Sequence, residues 1–383
     1  MPVVIYLFSV SAFALGLAEF VPIGLMDSVS QGLGITPDQA GWVVSAYALG
    51  ATFSAPILTA VLVRWSRKAV LLTAVGLFTL GSIMAAWASG LVMMLLARFV
   101  AGLGHGLFLA VASSTAARLV GNARAGQAVA AVFAGFTLAM ALGVPMATWL
   151  SVYLPWRWVF SLIAVFGGVG LLGLGWGMKQ SLPTQGEVNI KNQLILLMRP
   201  TLLAAASVTL FAYAGAFAAY TYIAPLLTHI TGEPHSHIGL YVLLYGIAAT
   251  VGNVMGGKLT DRLGIVRANL AFIAGILFSA LLIYLFATSS SLMKMAVALL
   301  GFFTFAIVPA LQARLLAVAH RFAPEADSVA AGLNIAGFNL AISLGAAVGG
   351  VTAQYLGLSY VGLSGIVLSS IGAILLIWQS KRD

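Results

Sequence analysis

The chain has 383 residues, 61% of them hydrophobic and only 7% charged, with a mean hydropathy of +1.07. A soluble domain carries about 25% charged residues, and a folded interior of this size cannot hide so much apolar surface, so the solvent must be a bilayer. The net charge of +9 is scattered through short segments rather than gathered on one face, which excludes a nucleic-acid partner; the lack of cysteine excludes disulfides and thiolate metal sites.

A helical span needs about 20 apolar residues. A membrane barrel would instead alternate polar and apolar residues, and runs such as 296–308, interrupted only by Thr304, do not. Breaks at charged, Gly and Pro clusters predict twelve spans, near 3–25, 40–61, 69–88, 91–113, 126–150, 157–178, 201–229, 236–257, 268–287, 293–313, 328–354 and 359–379. The expected fold is all-α, a polytopic membrane protein whose twelve transmembrane helices form two pseudo-symmetric six-helix bundles. The first stretch has no basic flank and contains Glu19, so it reads as a retained span and not a cleaved signal.

Loop charge sets the expected orientation. With both termini cytoplasmic, fifteen of the eighteen basic residues fall in inner segments and only Arg157 and Lys294 in outer loops, while Arg98 lies within a span. That is the positive-inside pattern, and the eight tryptophans, all near predicted span ends, agree with it. A repeat divides the chain. Gly135-Phe-Thr-Leu-Ala-Met-Ala-Leu-Gly143 in the fifth span returns 202 residues later as Gly337-Phe-Asn-Leu-Ala-Ile-Ser-Leu-Gly345 in the eleventh, identical at six of nine positions. The expected units are a six-helix half over 1–178, a cytoplasmic linker over 179–200 and a second half over 201–383.

Short motifs identify a resemblance. Gly257-Lys-Leu-Thr-Asp261-Arg262-Leu-Gly264, followed by Arg267, resembles the cytoplasmic signature of the major facilitator superfamily. The equivalent loop after the second span keeps Arg64, Arg67 and Lys68 but has Val63 and Ser66 where the family has Asp and Gly. Arg98-Phe-Val-Ala-Gly102-Leu-Gly104 resembles the family's intramembrane Arg-x-x-x-Gly-x-Gly pattern. Glu19-Phe-Val-Pro22-Ile-Gly24-Leu and Tyr220-Thr-Tyr222-Ile-Ala-Pro225 resemble its bacterial twelve-span drug and sugar efflux branch, the drug:proton antiporters. Antiporters of the family often carry Gly-Pro late in the fifth span; here the order is Gly143-Val-Pro145, which leaves uniport or symport open.

The resemblance implies a secondary transporter of the bacterial inner membrane that exchanges protons for a small solute and works as a monomer without a cofactor. Glu19 is the one acidic residue expected within a span. A charge at mid-span costs about 2.5–3.5 kcal/mol, so such residues face a cavity or a partner. Counted from the predicted outer span ends, Glu19 and Arg98 lie at similar depth and could pair if the first and fourth spans adjoin, as in the family fold. Burial disfavours a charged carboxylate and a nearby guanidinium favours it, so a changing Glu19–Arg98 distance would take up and release a proton. A permanent structural ion pair is the plainer reading. His105, two turns beyond Arg98, is expected to relay the proton or bind substrate, or else to donate to a backbone carbonyl on a neighbouring helix.

At the inner face, the family fold brings Asp261 near the start of the eleventh span, where a helix N-terminus attracts an anion. Asp261 and Arg262 are expected to latch that face. In the first half, Glu325 or Asp327 would pair with Arg64 or Arg67 instead. Tyr47, Tyr220, Tyr222, Asn253, Gln312, Asn334 and Asn339 are expected to line the substrate site, although an aromatic on a span more often simply packs. His229, His235 and His237 read as a solvated loop. No Gly-Lys-Ser/Thr phosphate cradle and no catalytic constellation is present, so neither ATP-driven transport nor an enzyme is expected.

Overall fold

Within a bilayer each segment must satisfy its own backbone hydrogen bonds, and a helix does so alone. The computed structural model describes residues 2–62, 64–120, 125–178, 195, 198–322 and 327–381, with the side chains of 327–331 and a few others in helices left aside. Twelve described helices are long and apolar enough to cross a membrane. They are α1 (Val3–Gly24), α2 (Pro37–Leu58), α3 (Arg67–Ala86), α4 (Leu91–Val120), α5 (Ala125–Leu138, continuing through Ala139–Gly143 and Val144–Leu150) and α6 (Trp156–Gly177). The last six are α7 (Pro200–Tyr220), α8 (His235–Leu263), α9 (Ile265–Leu285), α10 (Ser290–Phe322), α11 (Asp327–Tyr355) and α12 (Leu358–Ser380). Both chain ends lie at one face, the terminal face; the opposite one is the far face.

Several elements run past their predicted ends. Helices α4 and α10 continue to Val120 and Phe322. Helix α8 carries the Gly257–Leu263 motif as helix, and Gly264, at φ 81°, stops it. On the far face the chain leaves α1 through a second short helix, Met26–Leu33, so Asp27 is helical and not in a loop. Helix α7 ends at Tyr220 and the chain goes on as Ile223–Leu226 and a π-helical turn, Leu227–Thr231. Two more π-helical turns, Ser54–Leu58 and Ala139–Gly143, accompany Pro56 and Pro145. Proline supplies no N–H and crowds the carbonyl four residues back; a local widening of the helix relieves both defects.

Contacts inside the first six helices reappear inside the last six. Helix α1 packs on α5 and α6 as α7 packs on α11 and α12; α4 packs on α2 and α3 as α10 packs on α8 and α9; α3 meets α6 as α9 meets α12. Without a hydrophobic force between spans, close backbone approach through small residues holds such pairs. A Cβ on Gly102 would lie 2.0 Å from the Tyr47 carbonyl oxygen, and one on Gly50 would lie 2.2 Å from that of Phe99. Gly252, 202 residues after Gly50, does the same for α8 against α10, 2.1 Å from the Phe302 carbonyl.

The two sixes meet through α2 with α11 and α5 with α8, pairs that exchange under the same two-fold relation. The Ser45 hydroxyl donates to the Ser343 carbonyl at 3.1 Å. Helix α8 touches α5 through residues 139–150, its far portion, where a Cβ on Gly246 would meet the Met140 carbonyl at 2.4 Å.

The far-face loop after α7 is fastened by Glu233. Its carboxylate accepts from the Tyr241 hydroxyl at 2.6 Å, from Ser290 Oγ and from His237 Nδ1 at 2.8 Å. These donors hold its carboxyl well below the ordinary range, at about 2. A depressed folded value stabilises above the unfolded carboxylate range and is lost as pH falls through the folded one. Glu233→Gln is therefore expected to lower the melting temperature at pH 7 by about 2–4 °C. Thermal unfolding across pH should show the gap from wild type closing from about pH 4.3 downward.

Candidate functional site

Polar groups inside a membrane bundle are held where several helices converge, because there they find partners. Glu19 on α1, Tyr47 on α2 and Arg98 and His105 on α4 are all buried at such a point. The Glu19 carboxylate faces His105 Nε2 at 3.6 Å, and His105 Nδ1 lies 2.9 Å from the Tyr47 hydroxyl. That hydroxyl is also 3.3 Å from the Leu15 carbonyl oxygen. It has one proton to give. If Tyr47 donates to His105 Nδ1, the imidazole N–H points from Nε2 at the Glu19 carboxylate. If Tyr47 donates to Leu15, Nδ1–H points at Tyr47 and Nε2 is left as an acceptor facing Glu19. A proton on Glu19 and a proton on His105 are thus alternatives within one chain of contacts.

Arg98 is not the ion partner of Glu19. Its Nε donates to the Val43 carbonyl at 3.3 Å and its guanidinium lies 4.1 Å from the centre of the Tyr47 ring, while Nη2 has no hydrogen-bond partner. Counted from Leu33, where the added short helix ends, Glu19 is fourteen residues deep, as is His105 counted from Leu91. Equal depth on adjoining helices puts the carboxylate beside the imidazole, and Arg98 lies two turns nearer the far face.

Aromatic rings surround this group and join the two sixes. Phe20, next to Glu19, lies 5.7 Å from Phe136 on α5, 6.4 Å from Phe217 on α7 and 6.3 Å from Phe305 on α10, measured between ring centres. Phe136 also packs edge-on against His105. Tyr220 stacks on Tyr245 of α8 at 3.6 Å. The Tyr245 hydroxyl, Asn339 Oδ1 and Glu19 Oε2 are buried and have no hydrogen-bond partner among the described residues.

The other expected site residues fall in different places. Tyr47 belongs to the Glu19 group. Gln312, Asn334 and Thr209 form a chain across α10, α11 and α7 with links of 3.4 Å, and Gln312 is exposed. Asn339 is buried beside α11's own backbone, donating to the Ile335 carbonyl. Asn253 is exposed on α8, one turn-pair beyond Gly246 on the face that packs against α5. Tyr222 is away from the centre: its hydroxyl donates to the Ala346 carbonyl at 3.0 Å and lies 3.4 Å from that of Asp38, at the far face.

The residues expected to latch the terminal face are described only in part. Asp261, Arg262 and Arg64 are exposed, and no ion pair joins Asp261 to any described residue. Arg67 is half-buried at the start of α3; Glu325 and the side chain of Asp327 lie outside the described residues. The far face, by contrast, is closed by side chains that cross between the sixes, Tyr222 among them. Arg314, expected in an inner loop, is instead buried within α10, donating to the Ala205 carbonyl and to Gln379. The sequence signal was available, since the stretch after Arg314 stays apolar up to Ala319.

Twelve spans in two sixes with matching helix contacts, and a buried polar group close to where the sixes meet, are the architecture of a membrane transporter. The family model of the Major Facilitator Superfamily matches residues 8–321 and 206–383, and the chain belongs to that family. Among its relatives, the uncharacterized MFS-type transporter YtbD of Bacillus subtilis is 35% identical over 379 residues, covering 98% of this chain and 95% of the relative. The inner membrane transport protein YdhP of Escherichia coli K12 is 35% identical over the same shares. A probable sugar efflux transporter of Helicobacter pylori is 27% identical, covering 98% of this chain and 93% of its own.

Proposed function

We propose that this transporter exports a small solute in exchange for protons, by rocking residues 1–178 against 201–383 about the site between them. The observation that carries the reading is the buried Glu19–His105–Tyr47 chain at that junction. It is a titratable carboxylate next to a titratable imidazole, placed where an incoming solute would displace their contact. Proton and solute then compete for one site, which is the condition for exchange. The name of the Helicobacter relative, a sugar efflux transporter, points the same way. The excess of basic residues in segments at the terminal face supports a cytoplasmic terminal face in a bacterial inner membrane, and the far-face contacts together with an exposed Asp261 support reading this state as open to the cytoplasm.

A uniporter or symporter of the same fold is the second reading, favoured by Gly143-Val-Pro145 where antiporters often have Gly-Pro. A screen of lipophilic cations, sugars and nucleosides in inverted vesicles separates the two. Antiport gives uphill uptake that collapses when a protonophore is added; uniport gives equilibration that the protonophore leaves unchanged.

Tyr47→Phe keeps the ring beneath Arg98 and removes the hydroxyl that orients His105. It is expected to slow proton-driven export about tenfold, the equivalent of one neutral hydrogen bond, and to leave solute–solute exchange intact. Parallel assays of both modes on the same vesicles measure this.

A further inference from the structure

One of the side chains that cross between the sixes at the far face is a buried carboxylate. Asp27 lies in the first turn of the short helix Met26–Leu33 and is only 5% exposed. Its Oδ2 accepts from the Thr228 hydroxyl at 2.6 Å, and its Oδ1 lies 3.4 Å from His229 Nε2. Both partners are on the π-helical turn Leu227–Thr231, which follows α7 in the other six. Both contacts run from one six to the other, so relative rotation of the two sixes must part or join them.

The chemistry suits a contact that opens. The Thr228 hydroxyl has a second acceptor in its own helix, the Ala224 carbonyl at 3.0 Å. When the far face parts, that proton moves to Ala224, and Asp27 and the half-exposed His229 pass into water, so no buried group is stranded. Closed, the carboxylate takes a short charge-assisted bond. Tyr222 pins the same seam from the other side: a Cβ on Gly41 would fall 1.7 Å from its hydroxyl oxygen.

We propose that Asp27, Thr228 and His229 form the far-face gate, with Asp27 as the positioning residue whose contacts hold the closed state. This rests on the alternating-access reading above. The protein has no cysteine of its own, so Gln31→Cys and Ser236→Cys, both exposed on the far face in different sixes, accept a pair of spin labels directly. Pulsed electron resonance in lipid nanodiscs then reads the near and separated populations.

Asp27→Asn and Thr228→Val are each expected to raise the separated-to-near ratio about tenfold or more, with the double variant no further shifted than the stronger single one. Thr228→Ser, which keeps the hydroxyl, should restore the wild-type ratio. Thr228→Val guards against a fold defect, since it changes no charge and little volume. Unshifted populations in both variants, with wild type still showing two distances, would overturn the gate and leave alternating access standing. A single far-face distance under every condition would overturn both.

Discussion

Proteoliposomes carrying Glu19→Gln are expected to lose uphill solute movement entirely while retaining downhill exchange. A gradient of one pH unit is worth about 1.4 kcal/mol per proton, which sustains up to about tenfold accumulation for one proton exchanged. The amide has nearly the volume of the carboxyl and can still face His105 Nε2, but it cannot take up a proton at neutral pH. The gradient is then no longer coupled to the cycle, and accumulation falls to equilibration. Counterflow of labelled against unlabelled solute, which needs no proton, should persist. If Glu19→Gln still accumulates solute tenfold, Glu19 is a structural acid and coupling lies elsewhere.

The second large effect concerns how the helices are allowed to approach. Gly102→Ala sets a methyl 2.0 Å from the Tyr47 carbonyl oxygen, on backbone that cannot turn aside. Separating α2 from α4 to admit it also disturbs the ring under Arg98 and the hydroxyl on His105. A loss of about 3 kcal/mol, at the upper end for overpacking, is expected. Gly76→Ala on α3 is the matched comparison, because a Cβ there meets nothing within 4 Å. It should be neutral or gain about 0.5–1 kcal/mol from a stiffer helix. Thermal unfolding of the two purified variants should move in opposite directions; equal destabilisation would mean that close approach is not what Gly102 provides.

The sequence made the spans legible because in a bilayer hydropathy and backbone satisfaction decide together. Every predicted span has its helix. The repeat at Gly135 and Gly337 also announced the two-fold relation that pairs α2 with α11 and α5 with α8. What hydropathy does not carry is rotation about each helix axis or the course of the chain between spans. Glu19 is buried within its span as expected, but its neighbour is His105 and not Arg98, because the Met26–Leu33 helix lengthens the first crossing. Tyr222 looked like a cavity residue and is a seam residue, since α7 ends two residues before it. Arg314 and Asp27 were both read as loop charges. A short polar stretch between two apolar ones looks the same whether it is wet or folded back against the neighbouring unit, and only tertiary packing tells these apart.

The closing features bear on one another. On the proposed alternating-access reading, the far-face contacts of Asp27 and Tyr222, the exposed Asp261 and the Glu19–His105 contact belong to one state of a two-state cycle. In the other, Asp261 would be engaged and Asp27 released. A ligand that moves this equilibrium must bind the two states unequally, and under the proposed function proton and solute do so at the carboxylate–imidazole pair.

Proton movement on solute addition tests the central claim most directly. Purified protein in proteoliposomes with a pH dye in the lumen is presented with an outward solute gradient and no imposed proton gradient. Exchange predicts that solute efflux acidifies the lumen, that the signal vanishes with a protonophore, and that Glu19→Gln abolishes it while solute still leaves. Solute efflux from wild type with no change in lumenal pH would contradict proton exchange, and lumenal alkalinisation would establish symport in its place.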